Sequence, residues 1–132
     1  MKLLADTGAL LALFNPRDQL HRRAKQFAAR ERATRFVLTD LIVSETVTRL
    51  RSRLDAAHAA DVGAALLHSR RYEVIFVDTR LLEAGLAEMR RFADKRLSLA
   101  DAVSFSVIRD LALDGAFAFD RDFRDCGFAM HP

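Results

Sequence analysis

Acidic side chains at the ends of apolar segments are the groups in this sequence best suited to do chemistry. Asp6 follows the apolar run 3–5, Asp120 follows the run 116–119, and both runs have the length of buried strands. In an open sheet of parallel strands, ligands bind in the crevice at the carboxyl edge, where strand-ending side chains gather. We therefore expect Asp6 and Asp120 to lie at one such crevice.

Two further acids stand early in helical segments that would begin at the same edge. Glu45 lies in the first turns of a helix predicted from Leu41 to about Leu54. Asp101 stands at the third position of a helix that begins after Ser98. Together with Asp6 and Asp120 they form a predicted acidic set, and Asp122 is a candidate fifth member.

Each acid also has an ordinary structural interpretation. Asp6 could cap the first helix, and Asp120 could begin a turn. Asp101 could form a capping box with Ser98, in the first turn that the helix dipole favours for an acid. Glu45 could be a solvated helix residue. These alternatives stay open for the single residues, whereas the predicted topology gathers the whole set around one crevice.

A cluster of carboxylates points to a particular chemistry. Like charges held close together raise one another's pKa, so such a cluster persists in ionised form only when cations neutralise it. Ligand sets made only of oxygen favour the hard cations Mg²⁺ and Mn²⁺. Two such ions about 3.5–4 Å apart can activate a water and stabilise the attacking and leaving oxygens at phosphorus. The cluster therefore suits metal-dependent hydrolysis of phosphodiesters.

The elements that must position these acids alternate along the chain. Apolar runs predict strands before Asp6, at 36–38, 72–77 and 116–119, with a short last strand within 126–130. Asp18, Asp55, Asp78 and Ser98 are predicted to cap helices, the first of which would run to about residue 33. Right-handed crossovers between such strands place helices on both faces of a parallel sheet. We predict an α/β fold with four to five mainly parallel strands.

Sequence patterns predict the end of one helix and the buried faces of two others. The helix that begins at Leu99 should run to about Leu113 and end at Gly115. In the other two helices the predicted buried positions are Val43, Val47, Leu50 and Leu54, and then Leu81, Leu82, Leu86 and Met89.

Length and composition limit the class of protein. A chain of 132 residues with 51% apolar and 30% charged residues predicts one globular domain spanning 1–132. Cys126 is the only cysteine, so no intrachain disulfide can form and a reducing compartment fits. Asp6 interrupts the N-terminal apolar run before it could serve as a signal peptide, and no run reaches the length of a membrane span. We expect a soluble, cytoplasmic protein.

Basic residues are concentrated in part of the chain. The net charge is only +3, but 17–35 holds seven of the 21 lysines and arginines against two acids. This density favours a polyanionic partner such as a nucleic acid. The alternative is that these side chains form the solvated faces of amphipathic helices. In the first interpretation, basic residues near the acidic set would hold substrate phosphates, with Arg17, Arg22, Arg23 and Lys25 as candidates.

Four segments of the chain resemble, in order, the acidic motifs of PIN-domain ribonucleases. They are Leu4–Leu10, Thr39–Glu45, Leu97–Ala102 and Phe117–Phe123, and the similarity spans nearly the whole chain. The length is similar to that of VapC-type toxins from prokaryotic toxin–antitoxin pairs. The resemblance implies a three-layer α/β/α sandwich, Mg²⁺-dependent endonuclease activity on RNA, a cognate antitoxin and a homodimer, for which apolar positions in 41–67 are interface candidates.

The resemblance also implies roles for individual residues. It carries over Asp6, Glu45, Asp101 and Asp120 as the acidic set, with Asp6 and Asp101 as direct metal ligands. Thr7 matches a hydroxyl position that orients a carboxylate or a water. Whether Asp120 or Asp122 takes the fourth role stays open. A non-catalytic PIN-like module that binds RNA or protein is the alternative function, and divalent-metal binding would distinguish the two.

Overall fold

A five-stranded, all-parallel sheet forms the centre of the molecule, which we describe from a computed structural model covering residues 1–132. The strand order is β3-β2-β1-β4-β5, so the strand that ends at Asp6 is central. Leu3 of β1 lies opposite Phe36 of β2, and Ala5 lies opposite Phe117 of β4. The strands are β1 Lys2–Ala5, β2 Arg35–Thr39, β3 Tyr72–Ile75, β4 Ala116–Phe117 and β5 Met130–His131.

Seven helices connect these strands and confirm the predicted α/β fold. None of them has both the length and the apolar character needed to cross a membrane. The helices are α1 Thr7–Phe14, α2 His21–Arg30, α3 Asp40–Arg53, α4 Ala56–His68, α5 Thr79–Arg91, α6 Leu99–Asp110 and α7 Asp122–Asp125.

The core lies where the central strands meet the helices. Leu3, Leu4 and Phe36 are fully buried, as expected for strands covered on both faces. The ring of Phe117 lies 5.2 Å from that of Phe27 on α2 and 5.2 Å from that of Phe36. These aromatic contacts join α2 to the sheet and link the side chains of β4 and β2.

Four helices begin at a capping side chain, and three of these caps, Asp55, Asp78 and Ser98, confirm the prediction from the sequence. Asp55 and Asp78 each accept a hydrogen bond from the backbone N–H three residues ahead, at 2.7 and 2.9 Å. Thr39 does the same at the start of α3, at 3.3 Å, and Ser98 does so at the start of α6. Each bond satisfies one N–H that the helix itself leaves without a partner.

Several predicted boundaries are wrong. Asp18 caps a turn through the N–H of Leu20, so α2 begins only at His21. The helix α6 ends at Asp110, before Ala112 takes a left-handed conformation with φ of 48°. Gly115 instead directly precedes β4, with φ of 141°, and a Cβ atom there would lie 2.5 Å from the carbonyl oxygen of Ala129. Two strands are shorter than predicted, since β3 ends at 75 and β4 at 117, and β5 at 130–131 extends one residue beyond the predicted segment 126–130.

The predicted buried face of α5 is wrong in part, since Leu81 is buried and Leu82 half-buried as predicted. Leu86 and Met89 are exposed, whereas Gly85 and Glu88 are buried with Leu81. A Cβ atom on Gly85 would lie 2.5 Å from Cγ2 of Val103, so the glycine lets α5 approach α6 closely. Glu88 tolerates burial because it forms an ion pair with Arg109 of α6.

On α3 the fully buried positions are Ile42, Thr46 and Leu50. Val43 and Val47 are only half-buried and face α4. Of the predicted stripe, Leu50 is fully buried, and Val43, Val47 and Leu54 are half-buried residues that pack against the core.

Candidate active site

Asp6 lies at the carboxyl end of β1 and immediately before α1. Its side chain is only 7% exposed. The pKa of its carboxyl group is raised from 3.8 to about 7, chiefly by burial and then by the nearby charges of Asp101 and Asp120. The N–H groups of Thr7 and Gly8, at the start of α1, act in the opposite direction. In the absence of a cation, Asp6 is therefore only partly ionised at neutral pH.

Asp101 has the helix-capping role that its position allows, and it also faces Asp6. Its backbone N–H donates to Ser98 Oγ at 3.1 Å, and its Oδ2 accepts from the Ser98 N–H at 3.2 Å. This capping box fixes the side chain in the first turn of α6. Burial raises the pKa of Asp101, the bonds to Ser98 lower it, and the charges of Asp120 and Glu45 raise it.

Glu45 reaches the same place from α3. Its Oε2 accepts a hydrogen bond of 2.7 Å from the hydroxyl of Thr7, which is buried in the first turn of α1. The bond joins residues 38 positions apart in sequence, so it ties α3 to the end of β1. Thr7 therefore orients a carboxylate, as the resemblance implies for this hydroxyl.

The two acids after β4 point to different surroundings. Oδ1 of Asp120 accepts the N–H of Asp122 at 2.9 Å, which forms a tight turn. The charges that raise the pKa of Asp6 and of Asp101 include Asp120 but not Asp122. Asp122 begins α7, where its charge adds to burial in raising the pKa of Cys126. Asp120, rather than Asp122, thus lies with the other acids.

A cavity of about 270 Å³ brings these side chains together. No hydrophobic residue lines it, which is unusual for a depression over an apolar core. Its lining residues are the four acids Asp6, Glu45, Asp101 and Asp120, the small or hydroxyl residues Thr7, Gly8 and Ser98, and the arginines Arg49 and Arg96.

Sequence reasoning did not place the two arginines in this cavity. Arg49 lies four residues after Glu45 on α3, so helical spacing could have put both side chains on one face. Arg96 precedes α6 in an irregular segment, and no local pattern marks it. Both side chains are exposed and neither forms an ion pair, so their charge is available to an anionic ligand.

The donor set suits a hard divalent cation. All the side-chain atoms of the cavity that could ligate a metal are oxygens. A bound cation would lower the raised pKa values of Asp6 and Asp101. In the present side-chain positions, no three acids converge closely enough to form a ready-made metal site. Asp120 is exposed and Glu45 half-buried, so rotation of these side chains could bring their oxygens inward. The cavity therefore fits a divalent cation in the chemistry of its side chains and in their location.

Residues 3–129 match the PIN domain. The 23S rRNA-specific endonuclease VapC20 of Mycobacterium tuberculosis strain H37Rv is 32% identical over 127 residues, which cover 96% of this chain and 95% of that protein. The crystal structure of M. tuberculosis VapC20, described as a sarcin-ricin loop cleaving toxin, superposes with a TM-score of 0.89 and 30% identity, covering 96% of each chain.

A second solved structure supports the fold alone. It is a toxin–antitoxin complex from Klebsiella pneumoniae, with a TM-score of 0.67 and 16% identity, covering 98% of this chain and 96% of that one. From the PIN match and the likeness to VapC20 along nearly the whole chain, we conclude that this protein belongs to the PIN-domain family and is a homologue of the VapC-type toxins.

Proposed function

We propose that this protein is an endoribonuclease that hydrolyses RNA phosphodiester bonds with a divalent metal, Mg²⁺ or Mn²⁺. The observation that carries the proposal is the convergence of four acids, from β1, α3, α6 and the loop after β4, on one polar cavity. The similarity to an rRNA-specific endonuclease supports RNA as the substrate class. Which RNA this chain cuts depends on surfaces outside the cavity.

In this proposal Asp6 and Asp101 are the direct metal ligands, and Glu45 and Asp120 complete the acidic set. A bound hard cation would supply the positive charge that activates a water and stabilises the leaving oxygen. Asp6 is held by its burial at the end of β1, and Asp101 by its capping box with Ser98. Asp122 is not assigned to this set, because it does not line the cavity.

Other residues of the cavity position these ligands and the substrate. The hydroxyl of Thr7 fixes one oxygen of Glu45 and leaves the other free to bind a metal or a water. Arg49 and Arg96 add two positive charges at the rim, where a guanidinium can bind a phosphate in a bidentate manner. The site therefore combines acids for the metal with arginines for the RNA backbone.

The test of this proposal is the substitution Asp101→Asn, measured on RNA cleavage with Mg²⁺. The change removes a ligand charge but little volume, and the asparagine oxygen can still accept the Ser98 N–H. We expect the cleavage rate to fall more than about 100-fold, since even residues that only support metal ligands cost about 10–100-fold. Thermal unfolding should show that the variant is folded.

Asp61→Asn is the matched control, because Asp61 is exposed on α4 and its side chain forms no hydrogen bond or ion pair. It should cut RNA at the wild-type rate, and EDTA should abolish cleavage by both proteins. If Asp101→Asn cuts at the wild-type rate in Mg²⁺, the assignment fails. If the wild-type protein neither cuts RNA nor binds divalent metal in calorimetry, the non-catalytic binding module is the better interpretation.

We also infer that the protein pairs with an antitoxin and forms a homodimer. Membership of the VapC-type toxins supports the antitoxin. For the dimer, the candidate surface is the groove between α3 and α4, where Val43 and Val47 are half-buried and Leu67 is 49% exposed. Light scattering of wild type and Leu67→Asp tests the dimer, which the substitution should dissociate. The antitoxin is tested by co-expression with a short reading frame, should one be found beside the gene for this protein.

A further inference from the structure

A second cavity, of about 570 Å³, is lined by the residues that precede and follow Asp120 in the sequence. Arg23 of α2 and Arg121 and Arg124 of the segment after β4 provide its charge, and Phe119 and Phe128 provide aromatic surface. We call these five residues the arginine groove. No acidic side chain lines the cavity, and Arg23 donates at 3.4 Å to an oxygen of Pro132, which also lines it. The side-chain charge of this cavity is therefore positive, whereas four acids line the other cavity.

The arginine groove and the proposed active site are lined by residues that are adjacent in the sequence. Phe119 and Arg121 are the immediate neighbours of Asp120, and consecutive Cα atoms lie about 3.8 Å apart. Asp120 lines the acidic cavity, whereas its two neighbours line the groove. A chain molecule that placed a phosphate beside Asp120 would therefore have its next units within reach of the groove.

Two of the groove's arginines have no partner within the protein. Arg121 and Arg124 are exposed, and their guanidinium groups form no hydrogen bond or ion pair. Arginines elsewhere have structural partners. Arg71 donates to the carbonyl oxygens of Ala28, Glu31 and Thr34, and Arg109 pairs with Glu88. Free guanidinium groups beside one another are suited to the phosphates of a nucleic acid backbone.

The aromatic surface of the groove suits a nucleobase. Phe119 is half-buried, and the guanidinium of Arg23 lies 5.4 Å from the centre of its ring. Bases of single-stranded RNA stack on aromatic rings and on the planes of arginine side chains. Among the four basic residues that sequence reasoning proposed for RNA contact, Arg23 alone lines this groove, and Arg17 lies in a separate depression with His58.

We propose that the arginine groove binds the single-stranded RNA that flanks the scissile phosphate, an inference that rests on the proposed endoribonuclease function. Arg121 and Arg124 hold two backbone phosphates, and Phe119 with Arg23 stacks on a base. The groove then sets where along a strand the protein cuts, because it fixes the position of the RNA relative to Asp120. Arg49 and Arg96 serve the phosphate in the acidic cavity itself.

The test separates binding from cleavage by working first in the Asp101→Asn background. Fluorescence anisotropy with a short labelled single-stranded oligoribonucleotide gives Kd across a series of KCl concentrations. The double substitution Arg121→Ala/Arg124→Ala should weaken binding about tenfold or more. Because each phosphate contact on a single strand contributes about 0.7 to the slope of log K against log salt, the slope should fall by about 1.4.

The matched control is Arg51→Ala/Arg53→Ala, which removes the same charge from the exposed last turn of α3. It should leave the salt slope unchanged. Phe119→Leu keeps an apolar side chain but removes the ring, and it should weaken binding about tenfold without changing the slope. In the background that retains Asp101, the double groove variant should raise KM more than it lowers kcat.

The binding and cleavage results distinguish failure of the groove proposal from failure of the proposed catalysis. If the groove variant binds RNA with the same Kd and salt slope as the control variant, the groove is not an RNA site, whatever the wild-type protein cleaves. If the wild-type protein does not cleave RNA but the groove variant alone loses binding, the proposed catalysis fails and the groove remains an RNA site. Circular dichroism of every variant should match that of the parent, which excludes loss of folding as the cause.

Discussion

Replacing Asp6 with asparagine should stabilise the metal-free protein at neutral pH. The folded state raises the pKa of Asp6 from 3.8 to about 7, so ionising this carboxyl group is harder in the folded than in the unfolded chain. The difference, at 1.36 kcal/mol per pK unit, corresponds to about 4 kcal/mol. Asparagine is neutral and similar in volume, and Asp6 forms no side-chain capping bond that the change would remove, so the substitution removes this cost alone.

Proton binding by Asp6 decides whether the stability of the wild type rises or falls with pH. Between pH 3.8 and about 7 the folded state holds a proton on Asp6 that the unfolded chain releases, so the stability of the wild type falls as pH rises through this window. The gain from Asp6→Asn should therefore be near zero at pH 3.5, below about 2 kcal/mol at pH 5, and close to about 4 kcal/mol above pH 7.5.

The assay is urea denaturation in EDTA at these pH values, followed by circular dichroism. Asp61→Asn, on the exposed face of α4, is the control and should change the unfolding free energy by less than about 0.5 kcal/mol throughout. Adding millimolar Mg²⁺ should stabilise the wild type more than Asp6→Asn, because the metal binds the folded protein through the acid. A variant that is less stable than wild type at pH 8 in EDTA, or a gain independent of pH, would refute the reasoning.

Three further predictions concern single contacts. Thr7→Val keeps the shape but removes the hydroxyl that donates to Glu45, and we expect cleavage to slow about tenfold while circular dichroism is unchanged. Gly85→Ala places a Cβ atom 2.5 Å from Val103 Cγ2 and should lower the unfolding free energy by about 1–3 kcal/mol in urea denaturation. Ser98→Ala removes the cap of α6 and should cost about 1 kcal/mol in the same assay, and the less ordered first turn of α6 should also slow cleavage.

Local signals in the sequence predicted the order of the elements and most helix starts. Ser98, Thr39, Asp55 and Asp78 each act within four residues of themselves, so their capping bonds need no knowledge of the rest of the chain. The alternation of strands and helices likewise predicted a parallel sheet. The ends of helices were predicted less accurately, because no single residue type marks them: α6 ends at Asp110, and Ala112, not a glycine, takes the left-handed conformation after it.

The buried faces of helices depended on their neighbours. Hydrophobicity placed Leu86 and Met89 inside, but α5 turns Gly85 and Glu88 toward α6. A glycine permits close approach of two helices, and Arg109 supplies the charge that lets Glu88 be buried. The residues that Gly85 and Glu88 contact, Val103 and Arg109, lie on α6, more than 15 residues away, so the sequence of α5 itself does not show them.

The residues of the candidate site also fall into those that the sequence predicts and those that only the folded structure places there. The sequence by itself determined which acids would come to the carboxyl edge of the sheet, since that follows from the order of the strands and the starts of the helices. Only the tertiary structure decided that Asp120 rather than Asp122 faces the cavity, that Thr7 binds Glu45, and that Arg96 joins the acids. The physical reason is distance: secondary structure follows from contacts a few residues long, whereas the direction and charge environment of a side chain follow from groups that only folding brings near.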